Sequence, residues 1–242
     1  DVRPLGNAPK TVAEFVANFV GKGDALATWA FGSLPQELYT GIAKAVAPRP
    51  LLSLDPALDA ARRRKSPLEL DLMRGAARFL TTASDAFAAS VGAGSGVRSA
   101  ALAAERAAIA AGAQEACAMA SLSPGGVPLP LDAVSDERVL DPATAGIAVR
   151  NHGYWASGYV TIARRPGAAR ARAREALAAA LAAARGGAHL PDGVVANVIG
   201  LSLEEGSGDS LDAGAVYAVT SSATAGGETA YASALVAVTE NG

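Results

Sequence analysis

Apolar residues recur at Leu68, Leu72, Ala76, Phe79, Leu80, Ala83, Phe87 and Val91, a 3.6-residue period. The spacing predicts a helix from Leu68 to about Val91. Ser66 is a good N-cap, Pro67 a good first residue, and Glu69 stands at the capping-box position. Gly92-Ala-Gly-Ser-Gly96 ends that helix. Val97 to Ala113, Ala-rich, predicts a second, with Arg98, Glu105 and Arg106 outside. Ala168 to Ala184 predicts a third, stopped by Gly186-Gly187. Strand patterns lie between and after them. Ala116 to Leu122 is one, with Ser123-Pro-Gly-Gly126 as its turn. Ile147 and Val149 alternate with small or polar neighbours, Asn151-His152-Gly153 breaks the run, and Tyr154 to Ile162 resumes it with aromatic and β-branched residues. The stretch from Ala145 to Arg165 thus reads as a hairpin, introduced by Asp141-Pro142 and closed by Pro166-Gly167. Val194 to Leu203, Leu211 to Val219 and Tyr231 to Val238 complete the strands, with Gly226-Gly227 as a turn. The order has the look of a duplicated half.

The first 65 residues form a separate block. Val12, Phe15, Val16, Phe19 and Val20 have helical spacing over Thr11 to Val20. Ala25 to Phe31 and Leu51 to Leu54 are short strand candidates. Between them Ser33-Leu-Pro-Gln-Glu-Leu-Tyr39 reads as a helix start, with Ser33 as cap, Pro35 in the first turn and Glu37 completing it. Strand, helix, strand suggests the tail of an α/β layer. Arg62-Arg-Arg-Lys65 marks the boundary and reads as a solvated linker. The chain begins at Asp1 and ends just after a strand, so both ends are expected to be cut from a longer protein.

Composition narrows the class. Half of the 242 residues are hydrophobic but only 5% are aromatic, which predicts a core of Ala, Leu and Val. A net charge of −2 gives no basic footprint, so no nucleic-acid partner is expected. The single cysteine, Cys117, excludes an internal disulfide and suits a reducing cytoplasm. No apolar run reaches the roughly 18 residues of a membrane span, so no membrane association is expected.

Several stretches resemble the creatinase, prolidase and Xaa-Pro aminopeptidase family. They are Lys65-Ser-Pro-Leu-Glu-Leu-Asp-Leu-Met-Arg-Gly-Ala-Ala77, Arg138-Val-Leu-Asp-Pro142, Gly153-Tyr-Trp-Ala156, Leu211-Asp-Ala-Gly-Ala-Val-Tyr217 and Leu235-Val-Ala-Val-Thr-Glu-Asn-Gly242. Ile199-Gly200-Leu201 is similar to the end of the family's Gly-His-Gly-Ile-Gly-Leu motif, and Ser33 to Tyr39 to the close of its N-terminal domain. Each is weak alone; their order and spacing over residues 33 to 242 carry the resemblance. It implies an α+β pita-bread fold, two pseudo-symmetric αβ halves around a curved antiparallel sheet. Residues 1–65 would be the remnant of an N-terminal α/β domain plus linker, and residues 66–242 the pita-bread domain. Only one helix fits between Ile162 and Asn197 where the family usually has two, so the second half is expected to be shortened, with its side of the pocket open.

Family peptidases hold two divalent metals with Asp, Asp, His, Glu and Glu. Carried over by motif, these fall on Gly146, Ser157, Asn197, Thr220 and Ser233. Hydroxyls and a carboxamide bring no net charge to offset two dications, so no metal and no cofactor are expected. A family substrate-binding His falls near Glu204. Glu204, Glu205, Asp209 and Asp212 cluster in one Gly/Ser-rich loop and read as a solvated turn.

Other chemistry is sparse. His152 fits a turn residue better than a catalytic one, though His152, Tyr154, Glu204 and Glu205 stand as further pocket candidates, and His189 follows a helix end as a surface cap. Cys117 reads as a small core residue without a neighbouring cation to activate it. Tyr154 and Trp155 read as hairpin core before ligand platform. No Gly-x-Ser-x-Gly elbow exists, and Gly92-Ala-Gly-Ser-Gly-Val97 lacks the Lys of a phosphate loop. The reading is a non-catalytic homologue, a homodimeric binding or scaffold protein for an unknown small-molecule or peptide ligand. The alternatives are a metal-independent, creatinase-like enzyme acting on a small C–N substrate, or a retained Xaa-Pro aminopeptidase.

Overall fold

The computed structural model describes residues 7–19, 25–133, 139–165, 167–205 and 210–239. Val20, Arg138, Pro166, Asp209 and residues 240–242, all used above, lie outside them. The chain forms two compact units, Asp1–Ala61 and Arg62–Gly242.

In the smaller unit α1 (Ala8–Phe19) packs on α2 (Gln36–Val46), and α2 links the parallel strands β1 (Leu26–Thr28) and β2 (Leu51–Ser53). Its core is thin: Val16 and Val46 are its buried hydrophobic residues among those described. The first strand is shorter than the sequence pattern suggested, because Ala30 takes a left-handed conformation (φ 58°) and its N–H turns to Asp55 Oδ1. Ser33 does not cap α2. It sits in a 3-10 turn, Phe31–Ser33, and Pro35 takes the N-cap position without a side-chain bond. A helix absent from the sequence reading, α3 (Asp55–Arg63), follows β2.

The larger unit is a seven-stranded antiparallel sheet with three helices. α4 (Pro67–Gly92) opens with the full capping box: Glu69 N–H donates to Ser66 Oγ at 3.3 Å, and Ser66 N–H to Glu69 Oε2 at 2.8 Å. Leu68, placed on the apolar stripe by its spacing, is 70% exposed, since the first turn of α4 precedes the packed stretch that starts at Met73. α5 (Val97–Ala110) ends three residues early, where Gly112 at φ 111° leaves helical space. Glu105 on α5 does not face solvent; it accepts the Ala118 N–H at 2.7 Å.

The strands are β3 (Glu115–Ala120), β4 (Leu129–Pro130), β5 (Ala143–Asn151), β6 (Tyr154–Ile162), β7 (Val194–Val198), β8 (Val216–Ala225) and β9 (Glu228–Ala237), with α6 (Ala168–Ala183) after β6. Their order in the sheet is β4-β3-β5-β6-β9-β8-β7. Read from either edge, β3-β5-β6 and β7-β8-β9 repeat one arrangement, and each ends on the second strand of a hairpin at the centre. The two halves join there through a single rung, Val160↔Ala232. Alanine makes the packing possible. Ala76, Ala83, Ala100, Ala101, Ala104 and Ala108 are fully buried, so α4 and α5 approach each other and the first half closely, around Phe87 and Val149. Ala180 of α6 packs with Val198, Tyr217 and Val219 in the second.

The second-half strands start and stop elsewhere than their composition suggested. β7 ends at Val198: the Ile199 N–H still reaches the Val216 carbonyl, but Gly200 turns its N–H to the Ser202 carbonyl and its carbonyl to the Trp155 N–H. Leu211 to Ala215 is a turn, with Asp212 N–H on the Tyr217 hydroxyl at 2.8 Å and Gly214 at φ 86°. β8 then runs through the Ser/Thr-rich stretch to the Gly226-Gly227 turn.

Candidate functional site

The site grows out of strand register. Ser157 on β6 lies opposite Ala148 on β5, and Gly146 opposite Tyr159. Asn197 on β7 pairs with Ala218 on β8, and Thr220 on β8 with Ser233 on β9. A cavity of about 270 Å³ is walled by Gly146, Ser157, Asn197 and Thr220, together with Cys117, Met119, Tyr159 and Leu203. Ser233 joins it by hydrogen bonds. Its Oγ lies 2.8 Å from Thr220 Oγ1 and accepts the Tyr159 N–H at 2.8 Å. Four of the five positions therefore wall one space, drawn from strands in both halves, and Ser233 is bonded to Thr220 beside it without lining it.

Gly146 has no room for a larger side chain. A Cβ built there meets Tyr159 Cε1 at 2.8 Å and Met119 Cε at 3.0 Å. Tyr159 and Met119 occupy the volume into which a side chain at 146 would project. Neither was singled out from the sequence, although Tyr159 lies a two-residue step from Ser157 on a strand whose period of two fixes the shared face; Met119 reaches it through its pairing with Gly146.

Cys117 corrects the sequence reading. It is exposed and lines this cavity, because odd-numbered positions of β3 share the cavity face with Met119. Partial burial, and then the carboxylates of Glu115 and Glu105, push its thiol above the ordinary range.

The remaining sequence candidates sit elsewhere. His152 is exposed at the β5–β6 turn in a left-handed conformation (φ 47°), and His189 is exposed where it bridges to Ser210; neither lines the cavity. The Tyr154 hydroxyl donates to Glu69 Oε1 at 3.1 Å, and Trp155 stacks under the Arg150 guanidinium at 5.3 Å. Burial raises Glu69, but bonds from the Ser66 N–H, the Ser66 hydroxyl and Tyr154, with Lys65 nearby, outweigh it and hold the carboxyl below its ordinary range.

Glu204 is exposed, as a solvated turn requires, but Glu205 is not. Its side chain is 3% exposed and receives Lys65 Nζ at 2.5 Å, Arg62 at 2.9 Å and the Leu201 N–H at 2.8 Å. Lys65, expected in a solvated linker, is 1% exposed at its side chain. Arg62 and Arg63 end α3, and Arg63 pairs with Asp212 at 2.8 Å. Burial forces the pairing: a lone ammonium or carboxylate there would be far costlier than the pair. The cluster fixes the loop that carries Leu203 to the cavity wall. Nothing local in sequence joins partners 140 residues apart.

No protein-family model matches the chain, and no curated protein matches it. Solved structures do. The X-Pro aminopeptidase of Thermotoga maritima aligns over 100% of this chain and 77% of its own, with a TM-score of 0.75 and 17% identity. The prolidase of Pyrococcus horikoshii aligns over 96% of this chain and 76% of its own, with a TM-score of 0.78 and 16% identity. The N-terminal domain of the FACT complex subunit SPT16 from chickpea aligns over 100% of this chain and 72% of its own, with a TM-score of 0.69 and 12% identity. The chain thus has the pita-bread fold of the prolidases and X-Pro aminopeptidases. Identities this low speak for the fold. Among the described residues, no three His, Cys, Asp or Glu side chains gather as a metal-binding group, and no helix is long and apolar enough to cross a membrane.

Proposed function

We propose that this protein is a non-catalytic relative of the X-Pro aminopeptidases and prolidases, a binding or scaffold protein whose central cavity takes an uncharged small-molecule or peptide segment. The observation that carries the reading is the chemistry of the donor set. Gly146, Ser157, Asn197, Thr220 and Ser233 do not fit two divalent cations. A dinuclear centre needs anionic oxygens and imidazole, and these side chains bring no charge. Two of the hydroxyls are also engaged with other partners: Thr220 and Ser233 bond to each other, and Ser233 accepts a backbone N–H as well. Tyr159 and Met119 fill the space beside Gly146. What the cavity offers is hydroxyl and amide groups among thioether and methyl surface, suited to a neutral polar ligand.

The creatinase-like alternative needs an acid–base imidazole, and both histidines lie away from the cavity. The fold is compatible with roles outside peptide hydrolysis, since one similar chain is a domain of a FACT complex subunit. We further propose that residues 1–65 are the remnant of a creatinase-type N-terminal domain plus linker, and that the protein works as a cytoplasmic homodimer. Light scattering on the purified chain tests the dimer.

The deciding experiment is metal analysis by plasma mass spectrometry on untagged protein, with hydrolysis of an Xaa-Pro dipeptide measured in added manganese, cobalt or zinc. Substoichiometric metal and background hydrolysis are expected. Stoichiometric metal, or turnover that depends on it, overturns the reading.

A further inference from the structure

A second space opens at the seam between the halves. β8 and β9 pair along their full length, but β6 and β9 share one rung. Gly158, Ala232 and Ala234 leave little side chain to fill the gap. The result is a groove of about 290 Å³, overlooked by α4 on one side and α6 on the other.

Its chemistry is one-sided. Arg170 and Arg174 stand one helical turn apart on α6 and both line the groove. No Asp or Glu is among its lining residues; Asp85 and Glu175, beside Ser84 and Arg174 in sequence, are not part of it. Arg170 donates from one nitrogen to the Ala163 carbonyl at 3.3 Å, which orients the guanidinium and leaves the rest of its fork available. Ser84 of α4 faces the arginines as a further hydroxyl. Leu80, Val160 and Leu177 make the remainder largely apolar, with Tyr159 and Tyr231 contributing to its walls from β6 and β9.

We propose that this groove is a binding site for a small oxyanion-bearing ligand with an apolar or aromatic body, its phosphate or carboxylate held by Arg170 and Arg174. Two guanidinium forks without a competing carboxylate match an oxyanion in charge and geometry. The volume fits a compact ligand, at the small end of ligand pockets. The site is separate from the central cavity, although Ser157, Gly158 and Tyr159 belong to the walls of both. Occupancy of the seam would therefore bear on the position of Ser157 and Tyr159 in the other space.

Titration calorimetry at low ionic strength on the full chain tests it, with phenyl phosphate, benzoate and phenol as probes. Saturable binding of at least one anion is expected, with none of phenol. Preference for phenyl phosphate assigns a phosphate ligand, and preference for benzoate a carboxylate. Arg174→Met and Arg170→Met are each expected to weaken the preferred anion by roughly tenfold or more, the loss of a hydrogen bond to a charged group. Arg174 is exposed, so Arg174→Met keeps the fold, and an unchanged melting curve verifies this. Absence of saturable binding by both anions overturns the proposal. So does phenol binding as tightly as the anions, or equal affinity in wild type and Arg174→Met.

Discussion

Replacing Lys65 with Met removes one charge from the buried cluster while keeping most of the side-chain volume. The Glu205 carboxylate, 3% exposed, then keeps Arg62, itself 22% exposed, and the Leu201 and Ser202 N–H groups. Breaking a buried pair from one side costs about 3–5 kcal/mol, and the retained arginine points to the lower end. For a unit of this size that is a melting shift of roughly 6–20 °C. Glu205→Gln strands Lys65 with only the Arg62 carbonyl and falls in the same range. The double variant Lys65→Met/Glu205→Met loses both charges at once and is expected to be much milder than the sum of the two. Trp155 is a suitable reporter, because its backbone N–H donates to the Gly200 carbonyl and so ties its strand to the loop beside the cluster. A Trp29→Phe background removes the other tryptophan, so that fluorescence follows the larger unit alone during denaturation. A Lys65→Met cost under about 1 kcal/mol, typical of exposed pairs, would mean that the cluster is solvated and would refute the reasoning.

Other consequences are open to measurement. Phe87→Ala empties a fully buried site between α4 and the sheet and is expected to cost about 3–5 kcal/mol, against a few tenths for Arg98→Ala; equal shifts would misplace the helix face. The Glu69 carboxyl lies below its ordinary range when folded, so its contribution is present above the unfolded-state value and is lost as pH falls through the folded one. The melting difference between wild type and Glu69→Gln should accordingly shrink on acidification, and a pH-independent difference would count against the capping box as its source. Cys117 is exposed but its thiol is raised, so alkylation by iodoacetamide should be slow at neutral pH and reach its plateau above the ordinary thiol range.

The fold was legible where local chemistry and periodicity agree. The α4 start shows this: Ser66, Pro67 and Glu69 spell a capping box, and the structure forms both of its bonds. The β5–β6 hairpin is similar, since His152 and Gly153 adopt the positive φ that such a turn needs. Legibility failed where distant partners decide. β8 continues through Thr220-Ser-Ser-Ala-Thr224, whose central Ser-Ser-Ala lacks β-branched and aromatic residues, because it pairs rung by rung with β9. Arg62-Arg-Arg-Lys65 reads as a linker by composition, yet Lys65 is buried because Glu205 awaits it.

The same division runs through the site. Register and motif spacing bring Gly146, Ser157, Asn197 and Thr220 to one cavity, since strand position survives a change of side chain. What spacing cannot supply is which side chains fill the volume beside Gly146. Placing an acid at 146 is thus a packing question before it is a metal question. Gly146→Asp places a Cβ 2.8 Å from Tyr159 and 3.0 Å from Met119, and puts a carboxylate among neutral groups. Met119 can yield at its flexible end, but the Tyr159 ring is held by its backbone bond to Ser233 and by packing on Tyr231. The substitution is expected to destabilise by about 1–3 kcal/mol from overpacking alone. Tyr159→Ala in the same chain should recover part of that loss by clearing the space. On the proposed reading, Ser157→Asp with Asn197→His should leave Xaa-Pro hydrolysis at background, because Gly146, Thr220 and Ser233 still bring no anionic oxygen to the site. Tolerance of Gly146→Asp without loss of stability, together with metal uptake, would mean that the site needs only its acids back, and that Tyr159 yields to them.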